Sequence, residues 1–317
     1  MTELVLPHGT LAAHRRPRLG YAMVIGAATL FAVNGAVSKL ALDGSDIGTV
    51  RWTELRSTGG FVGLALGLAL LAPGRLRIGT RHELGRLAFY GIVGFALVQW
   101  LYLVAIERLP IGIGLLLEFT APVLVALWAR LVWHEPVRRR VWAALALALS
   151  GLVLVGEVWE DVRLDTVGVV AGLLAAGALA TYYLAGEHQT GRRDALSLTC
   201  LSLGVAAVFW AVLQPWWGFP FDALGATVSL EGSLEAVDAP VWTLCLWMIV
   251  LGTILPFVLS LGALHHLPAT RVATVSMIEV LLAALVAWVW LGETLSAAQL
   301  VGGGVVLVGV VLAQTSR

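Results

Sequence analysis

Charged residues are scarce in this sequence. Only 13% of its 317 residues are Asp, Glu, Lys or Arg, whereas 59% are hydrophobic and the mean hydropathy is +0.89. Soluble domains carry about 25% charged residues, so this chain cannot cover a globular surface with polar groups. We therefore expect lipid to be its solvent, and the sequence predicts an integral membrane protein.

Several chemical signatures are also absent. The two cysteines, Cys200 and Cys245, lie in apolar segments and lack metal-binding or redox spacing. The net charge is zero, and no basic stripe indicates a nucleic-acid partner. The sequence contains no GxxxxGK[ST], HExxH or GxSxG motif, so no pattern predicts ATP hydrolysis or an enzyme. We expect neither a metal nor another cofactor.

Apolar segments separated by charged or Pro/Gly-rich connections divide the chain into ten expected spans. A span needs about 20 apolar residues, and segments without strict alternation favour helices over barrel strands. The spans are residues 20–40, 49–72, 87–106, 111–133, 141–157, 166–186, 195–216, 241–263, 269–291 and 297–314, of which the fifth and tenth are short.

The connections differ in their arginine content. With the N-terminus inside, thirteen arginines fall on the cytoplasmic side, and only Arg108 and Arg163 lie on the other side. The positive-inside rule then predicts a multi-pass protein of the cytoplasmic (inner) membrane with both termini in the cytoplasm. Residues 1–19 form the expected cytoplasmic tail.

An internal repeat organises the spans. Residues 94–155 match 252–313 at a constant offset of 158, which pairs the hinges Leu109-Pro110 and Leu267-Pro268. Five spans per copy is an odd number, so the copies must be inverted. We expect a first repeat at 20–157 and a second at 165–314 in a single membrane domain.

Spans 1–2 match spans 6–7 only weakly, at an offset of 148 that pairs Gly20 with Gly168 and Ala28 with Ala176. A duplication of this length in so apolar a chain is typical of secondary transporters, in which two inverted copies exchange roles during alternating access.

Two carboxylates lie inside predicted spans. At 1.5 Å per residue, Glu118 is about 10 Å deep in span 4 and Glu279 about 15 Å deep in span 9. A charge at such depth costs a few kcal/mol. Each is therefore a candidate for binding a substrate ammonium or for proton coupling, and the alternative is a hydrogen-bonded structural carboxyl.

Other polar groups occur at membrane depth. Arg56 has two interpretations, contact with a substrate carboxylate or attachment to the ends of neighbouring helices. Asn34, Gln99, Tyr102 and Tyr182 are expected either to line a central cavity or to hydrogen-bond between helices, and Trp100 is a candidate for the cavity wall. Lys39, at a span end, is expected to reach the membrane interface.

Small residues and prolines add local expectations. The series Gly59, Gly63, Gly67 and the cluster Gly302–Gly304 form small faces for close helix contact, inside the protomer or in a homodimer. Pro122 and Pro256 are expected to break or kink spans 4 and 8.

Three sets of motifs carry a family resemblance: LRSTGGFVGLALGL in span 2, AIERLP with ALHHLP, and APVLVALWARLVWHEP with EVLLAALVAWVWLGET. They resemble the drug/metabolite transporter superfamily, in its ten-helix EamA-type branch, over about residues 20–314. Glu118, Phe119 and Pro122 also resemble span 4 of threonine/homoserine exporters, although Ala121 stands where glycine is expected and Val280 replaces the usual proline of span 9. The resemblance implies inverted five-helix repeats around a central cavity and export of amino acids, metabolites or drugs.

We expect an all-α integral membrane protein whose ten transmembrane helices form two inverted five-helix repeats around a central cavity. The expected function is secondary active export of amino acids or related small metabolites, driven by protons, with a small-molecule substrate and the lipid bilayer as partners. An uptake carrier or a multidrug exporter of the same fold is the nearest alternative. A non-transporting scaffold or sensor subunit is the alternative of another class, and it does not explain carboxylates inside equivalent helices.

Overall fold

The computed structural model describes residues 16–109, 111–157, 165–292 and 294–315 and is almost entirely helical. Its helices are α1 Pro17–Asp43, α2 Thr49–Leu71, α3 Arg81–Gly91, α4 Val98–Arg108, α5 Ile111–Glu118, α6 Ala121–Leu131, α7 Arg139–Val155, α8 Thr166–Thr190, α9 Ala195–Leu213, α10 Val241–Ile249, α11 Leu255–Leu264, α12 Ala269–Ser276, α13 Ile278–Val289 and α14 Ala297–Thr315. A two-stranded antiparallel hairpin, β1 Thr227–Ser229 and β2 Asp238–Pro240, lies between α9 and α10.

The helices form the expected spans. Within the described residues, nine continuous or interrupted helices are long and apolar enough to cross a membrane. α7 has 17 residues and completes the set of ten by packing along α14. The third span begins at Arg81 rather than at the predicted residue 87, because the Thr80 side chain accepts a hydrogen bond from the Glu83 N–H and so caps the helix earlier.

Two spans contain a π-helical segment at equivalent places. Ile92–Leu97 separates α3 from α4, and Val250–Ile254 separates α10 from α11. The two segments begin 158 residues apart, which is the offset of the sequence repeat. Pro256 follows the second segment in the first turn of α11. Such π segments are frequent at functional sites.

Two further spans are broken at equivalent places. The fourth breaks between Glu118 and Ala121, and the ninth breaks at Met277. Pro122 lies in the first turn of α6, as its missing N–H requires. The ninth span breaks without a proline, since Val280 occupies the equivalent position. Of the two predicted hinges, Pro268 directly precedes α12, and Pro110 lies outside the described residues.

Repeat mates pack symmetrically. α7 packs on α14 and α2 packs on α9, so each of these pairs joins equivalent spans of the two copies. α1 packs along α10 and α11, and α8 packs in the same way along α4 and the π segment before it. This packing confirms the inverted repeat and extends it to spans 1–2 and 6–7, where the sequence match is weak.

The closest helix contact joins α7 and α14. An added Cβ at Gly151 would lie 2.7 Å from the carbonyl oxygen of Gly302, and one at Gly309 would lie 2.8 Å from that of Ala144. In span 2, Gly59 faces Ile249. These glycines are therefore used for packing inside the protomer.

The connections define two faces of the molecule. The arginine-rich face carries residues 72–80, 132–138, 191–194 and 265–268, and the arginine-poor face carries 44–48, 156–157 and 214–240. On the arginine-rich face, Arg193 Nε lies 2.6 Å from Glu83 Oε1. On the arginine-poor face, the Trp290 indole donates to the carbonyl of Leu230, which attaches the long connection to the end of span 9.

Candidate functional site

A cavity of about 840 Å³ lies between the two repeats. Its deep part is built from both members of several pairs of repeat mates. These pairs are Asn34 with Tyr182, Gln99 with Phe257, Tyr102 with Ser260, and Glu118 with Ser276. The cavity therefore lies on the pseudo-two-fold axis that relates the copies.

Helix breaks place both predicted carboxylates in this cavity. Glu118 is the last residue of α5 and Glu279 the second residue of α13, so each flanks the break of its own span. No hydrogen bond within the described part of the chain engages either carboxylate. Both lie close enough to Arg56 for their charges to interact with it. The site thus unites acidic and basic groups at membrane depth.

Arg56 lines the cavity and also binds a neighbouring span. Its Nε donates to Thr253 Oγ1 at 2.8 Å and its Nη2 to the Gly252 carbonyl oxygen at 2.6 Å, which holds the second π segment in place. The guanidinium carbon lies 6.0 Å from the centre of the Phe257 ring. Nη1 makes no hydrogen bond to any described residue. Arg56 therefore supports the cavity wall and still has a donor for a ligand.

Several buried polar atoms lack partners around the cavity. Asn34 Oδ1 and Gln99 Oε1 have no hydrogen-bond partner among the described residues. Gln99 Nε2 donates to the carbonyl oxygen of Phe95 in the first π segment, at 2.5 Å. Because buried polar atoms are usually paired, these atoms fit a polar ligand in the cavity.

The predicted site residues are brought together with one exception. Asn34, Arg56, Gln99, Tyr102, Glu118, Tyr182 and Glu279 all line the cavity. Trp100 does not, because its ring packs against Trp210 at a centroid distance of 5.9 Å. Lys39, predicted to reach the membrane interface, instead lines the mouth of the cavity.

Sequence reasoning missed other lining residues, including Phe31, Ser260 and Ser276. The two serines had a usable signal, because they are the repeat mates of Tyr102 and Glu118. Phe31 had none, since an aromatic residue in a span has the same sequence pattern whether it faces lipid, core or cavity.

The cavity opens on the arginine-poor face. Ile106 is half-buried and lines its mouth, whereas its repeat mate Leu264 is 2% exposed on the opposite side. Leu109 also lines the cavity, whereas its repeat mate Leu267 does not. No described residue of the connections on the arginine-rich face lines the cavity. On the closed side, the Tyr90 hydroxyl donates to the carbonyl oxygen of Tyr182 at 3.1 Å.

Metal chemistry finds no support in the part of the chain that the structure covers. There, no group of three or more His, Cys, Asp or Glu side chains is arranged to hold an ion. Cys200 and Cys245 are both buried and free. The chemistry of the cavity is therefore that of its carboxylates, guanidinium, hydroxyls and amides.

Comparison with known proteins identifies the family. The profile of the EamA-like transporter family matches residues 18–156 and again residues 166–315. The chain belongs to the EamA-like transporter family. Its EamA-type fold and duplicated architecture confirm the resemblance predicted from the motifs of spans 2, 4 and 9.

Individual relatives agree with this membership. The chain is 31% identical to the threonine/homoserine exporter RhtA of Escherichia coli (strain K12) over 253 residues, which cover 77% of each chain. It is 28% identical over 229 residues to an uncharacterized transporter of Archaeoglobus fulgidus, covering 70% of this chain and 75% of the relative. A crystal structure superposes with a TM-score of 0.71 over 93% of this chain and 96% of that one, at 17% identity, which shows the fold alone.

The protein is accordingly a multi-pass membrane transporter with a small-molecule substrate.

Proposed function

We propose that this protein is a secondary active exporter of amino acids or closely related small metabolites, working by alternating access and driven by protons. The observation that carries the proposal is a cavity on the axis between inverted repeats, lined by Arg56, Glu118 and Glu279. The E. coli relative is a threonine/homoserine exporter, which supports the same substrate class.

The charges of the cavity suit a zwitterion. The Nη1 of Arg56 is available to a substrate carboxylate, and Glu118 or Glu279 to its ammonium group. Hydrogen bonds between ionised groups are about twice as strong as neutral ones. An amino acid bound in this way replaces its hydration with partners for both of its charges.

The same charges support proton coupling. The deep part of the cavity has two carboxylates and one guanidinium. Without substrate, one carboxylate is unpaired in a medium where an unpaired ion is costly, and a proton on it removes that cost. The ammonium group of a substrate competes with this proton for the same carboxylate, so we assign the exchange of one proton for one exported molecule to each transport cycle.

Alternating access follows from the inverted repeat. By the positive-inside rule, the arginine-poor face is outside, both termini are cytoplasmic, and the cavity is open outward. If the two repeats exchanged their packing arrangements, the cavity would close beside Ile106 and Leu109 and open beside Leu264 and Leu267. We assign residues 20–157 and 165–314 to the two exchanging repeats.

Counterflow in proteoliposomes tests the proposal. Vesicles containing purified protein are loaded with one unlabelled amino acid, and uptake of the same labelled amino acid is followed, with threonine and homoserine tested first. We expect counterflow that is inhibited by the parent amino acid and not by its N-acetyl or methyl ester derivative, because each derivative lacks one charge.

Equal inhibition by the parent and by both derivatives would show that the cavity does not recognise a zwitterion. Absence of counterflow for every amino acid, in vesicles that exchange lipophilic cations, would favour the multidrug alternative.

A further inference from the structure

Within the second repeat, the carboxylate of one span caps a helix of another span. Glu187, near the end of α8, accepts a hydrogen bond from the Ala269 N–H at 2.9 Å. Ala269 is the first residue of α12 and directly follows Pro268. The first N–H groups of a helix have no partner within it, and the positive end of the helix dipole favours an anion. The contact therefore joins two spans on the arginine-rich face, where the cavity is closed.

The packing beside this contact is tight. An added Cβ at Gly186 would lie 2.6 Å from the Tyr90 hydroxyl and 3.2 Å from Leu261 Cδ2. Tyr90 and Leu261 are fully buried. Glu187 thus borders the layer that separates the cavity from the arginine-rich face.

The other repeat carries a lysine at the position equivalent to Glu187. At the repeat offsets of 148 and 158, Glu187 corresponds to Lys39, and Ala269 corresponds to Ile111, the first residue of α5. Lys39 lines the open mouth of the cavity. An ammonium group cannot accept a hydrogen bond, and the positive end of α5 repels it.

We propose that Glu187 is a gating residue whose carboxylate locks the arginine-rich face closed, and that Lys39 leaves the opposite closure without a lock. The substrate-free transporter therefore rests with its cavity open toward the arginine-poor face. This inference rests on the alternating access of the proposed function.

Two repeat mates provide matched probes of the conformational state. Ile106→Cys reports opening of the arginine-poor face, and Leu264→Cys reports opening of the arginine-rich face. Each is introduced into a chain in which Cys200 and Cys245 are replaced by Ala. The measurement is the rate of labelling of the purified protein by a hydrophilic maleimide, after size-exclusion chromatography has shown a folded, monodisperse sample.

Glu187→Ala should raise the labelling rate at Leu264→Cys about fivefold and lower the rate at Ile106→Cys, because loss of a helix cap costs about 1 kcal/mol. Lys39→Glu should also raise the labelling rate at Leu264→Cys and lower the rate at Ile106→Cys, since it supplies a cap for α5 in the opposite state. Glu135→Ala removes an exposed carboxylate from the same face as Glu187 and should leave both rates unchanged.

Gly186→Ala separates failure of the lock from failure of alternating access. Its Cβ presses on Tyr90 and should open the arginine-rich face without involving the cap. If Gly186→Ala shifts the probes but Glu187→Ala behaves like Glu135→Ala, the lock is wrong and alternating access stands. If none of these variants changes the labelling rate at either probe, alternating access is contradicted, and so is the proposed lock, which depends on it.

Discussion

Glu118 and Glu279 owe their position to the ends of helices rather than to the middle of one. Each flanks a break in its span, and the two breaks are related by the repeat. A break widens the space beside the helix and leaves a long side chain facing the cavity instead of lipid. The cost of a charge at membrane depth is then offset by Arg56, the bound ligand or a proton.

Replacing Glu118 by glutamine should abolish transport while leaving the fold intact. The amide fills the same volume but neither pairs with an ammonium group nor carries a proton through a cycle. Counterflow measures transport, and size-exclusion chromatography with thermal unfolding measures the fold. Glu135→Gln, on an exposed connection, serves as the matched control. Counterflow of the Glu118 variant at the wild-type rate would make this residue structural.

Most of the site was predictable because a polar residue in an apolar span is conspicuous. Asn34, Arg56 and Gln99 were identified on that ground, and all line the cavity. The prediction that Trp100 forms part of the cavity wall was wrong, because a tryptophan in a span is equally compatible with a cavity wall and with packing against another ring, here that of Trp210. Ser276 was missed because a serine can satisfy itself on its own helix, as it does with the carbonyl oxygen of Val272.

At the scale of helices, a glycine in each π segment allows a close approach between the two repeats. Gly252 in the second segment faces Asn34, and its mate Gly94 faces the backbone of Tyr182, the mate of Asn34. Each glycine lets a helix of one repeat approach a π segment of the other. Arg56 then binds the second segment through Gly252 and Thr253.

Gly252→Ala should therefore destabilise the protein by about 1–3 kcal/mol, the usual cost of overpacking. The added Cβ would collide with Oδ1 and Cγ of Asn34. Thermal unfolding in detergent measures the loss. Gly177→Ala is the control, because no atom lies within 4 Å of its added Cβ.

The double variant Gly252→Ala with Asn34→Ala should recover most of the loss, since the colliding atoms are gone. A destabilisation that persists unchanged in the double variant would show that the glycine is needed for another reason.

Sequence reasoning anticipated irregular helix at Pro122 and Pro256, but not the π segment of span 3 or the break at Met277. A proline within a span predicts a break or kink because it has no backbone N–H. Residues 92–97 and 250–254 are ordinary apolar runs, and their widened turns depend on contacts with Arg56, Gln99 and neighbouring helices. The break at Met277 follows its repeat mate at Phe119 rather than any local signal.

At the scale of the whole molecule, the solvent made the fold predictable. Lipid leaves helices and closed barrels as the possible spanning structures, and the apolar segments lack the alternation of barrel strands. Composition, span length and the internal repeat were therefore sufficient to predict the architecture. The weak match of spans 1–2 with spans 6–7 became clear only in the structure, where Asn34 and Tyr182 occupy equivalent places in the cavity. In these spans the two repeats pack alike although their sequences are no longer clearly similar.

The orientation of the molecule leads to a topological prediction. Cysteines introduced at Arg139 and Arg192 should react with a membrane-impermeant maleimide only from the cytoplasm, and one at Glu231 only from outside, because the arginine-rich face is retained inside. Labelling of intact cells and of inverted vesicles distinguishes the sides. Reaction of the first two positions in intact cells would reverse the orientation, and the cavity would then open inward.

The central claim is that a proton gradient drives amino acids through the cavity of Arg56, Glu118 and Glu279. The decisive measurement is accumulation of a labelled counterflow substrate in proteoliposomes whose interior is more acidic than the outside, so that protons leave as the substrate enters. We predict accumulation above the outside concentration in wild-type vesicles, its loss when a protonophore collapses the gradient, and none with Glu118→Gln. Accumulation that is undiminished after the gradient has collapsed would contradict the account.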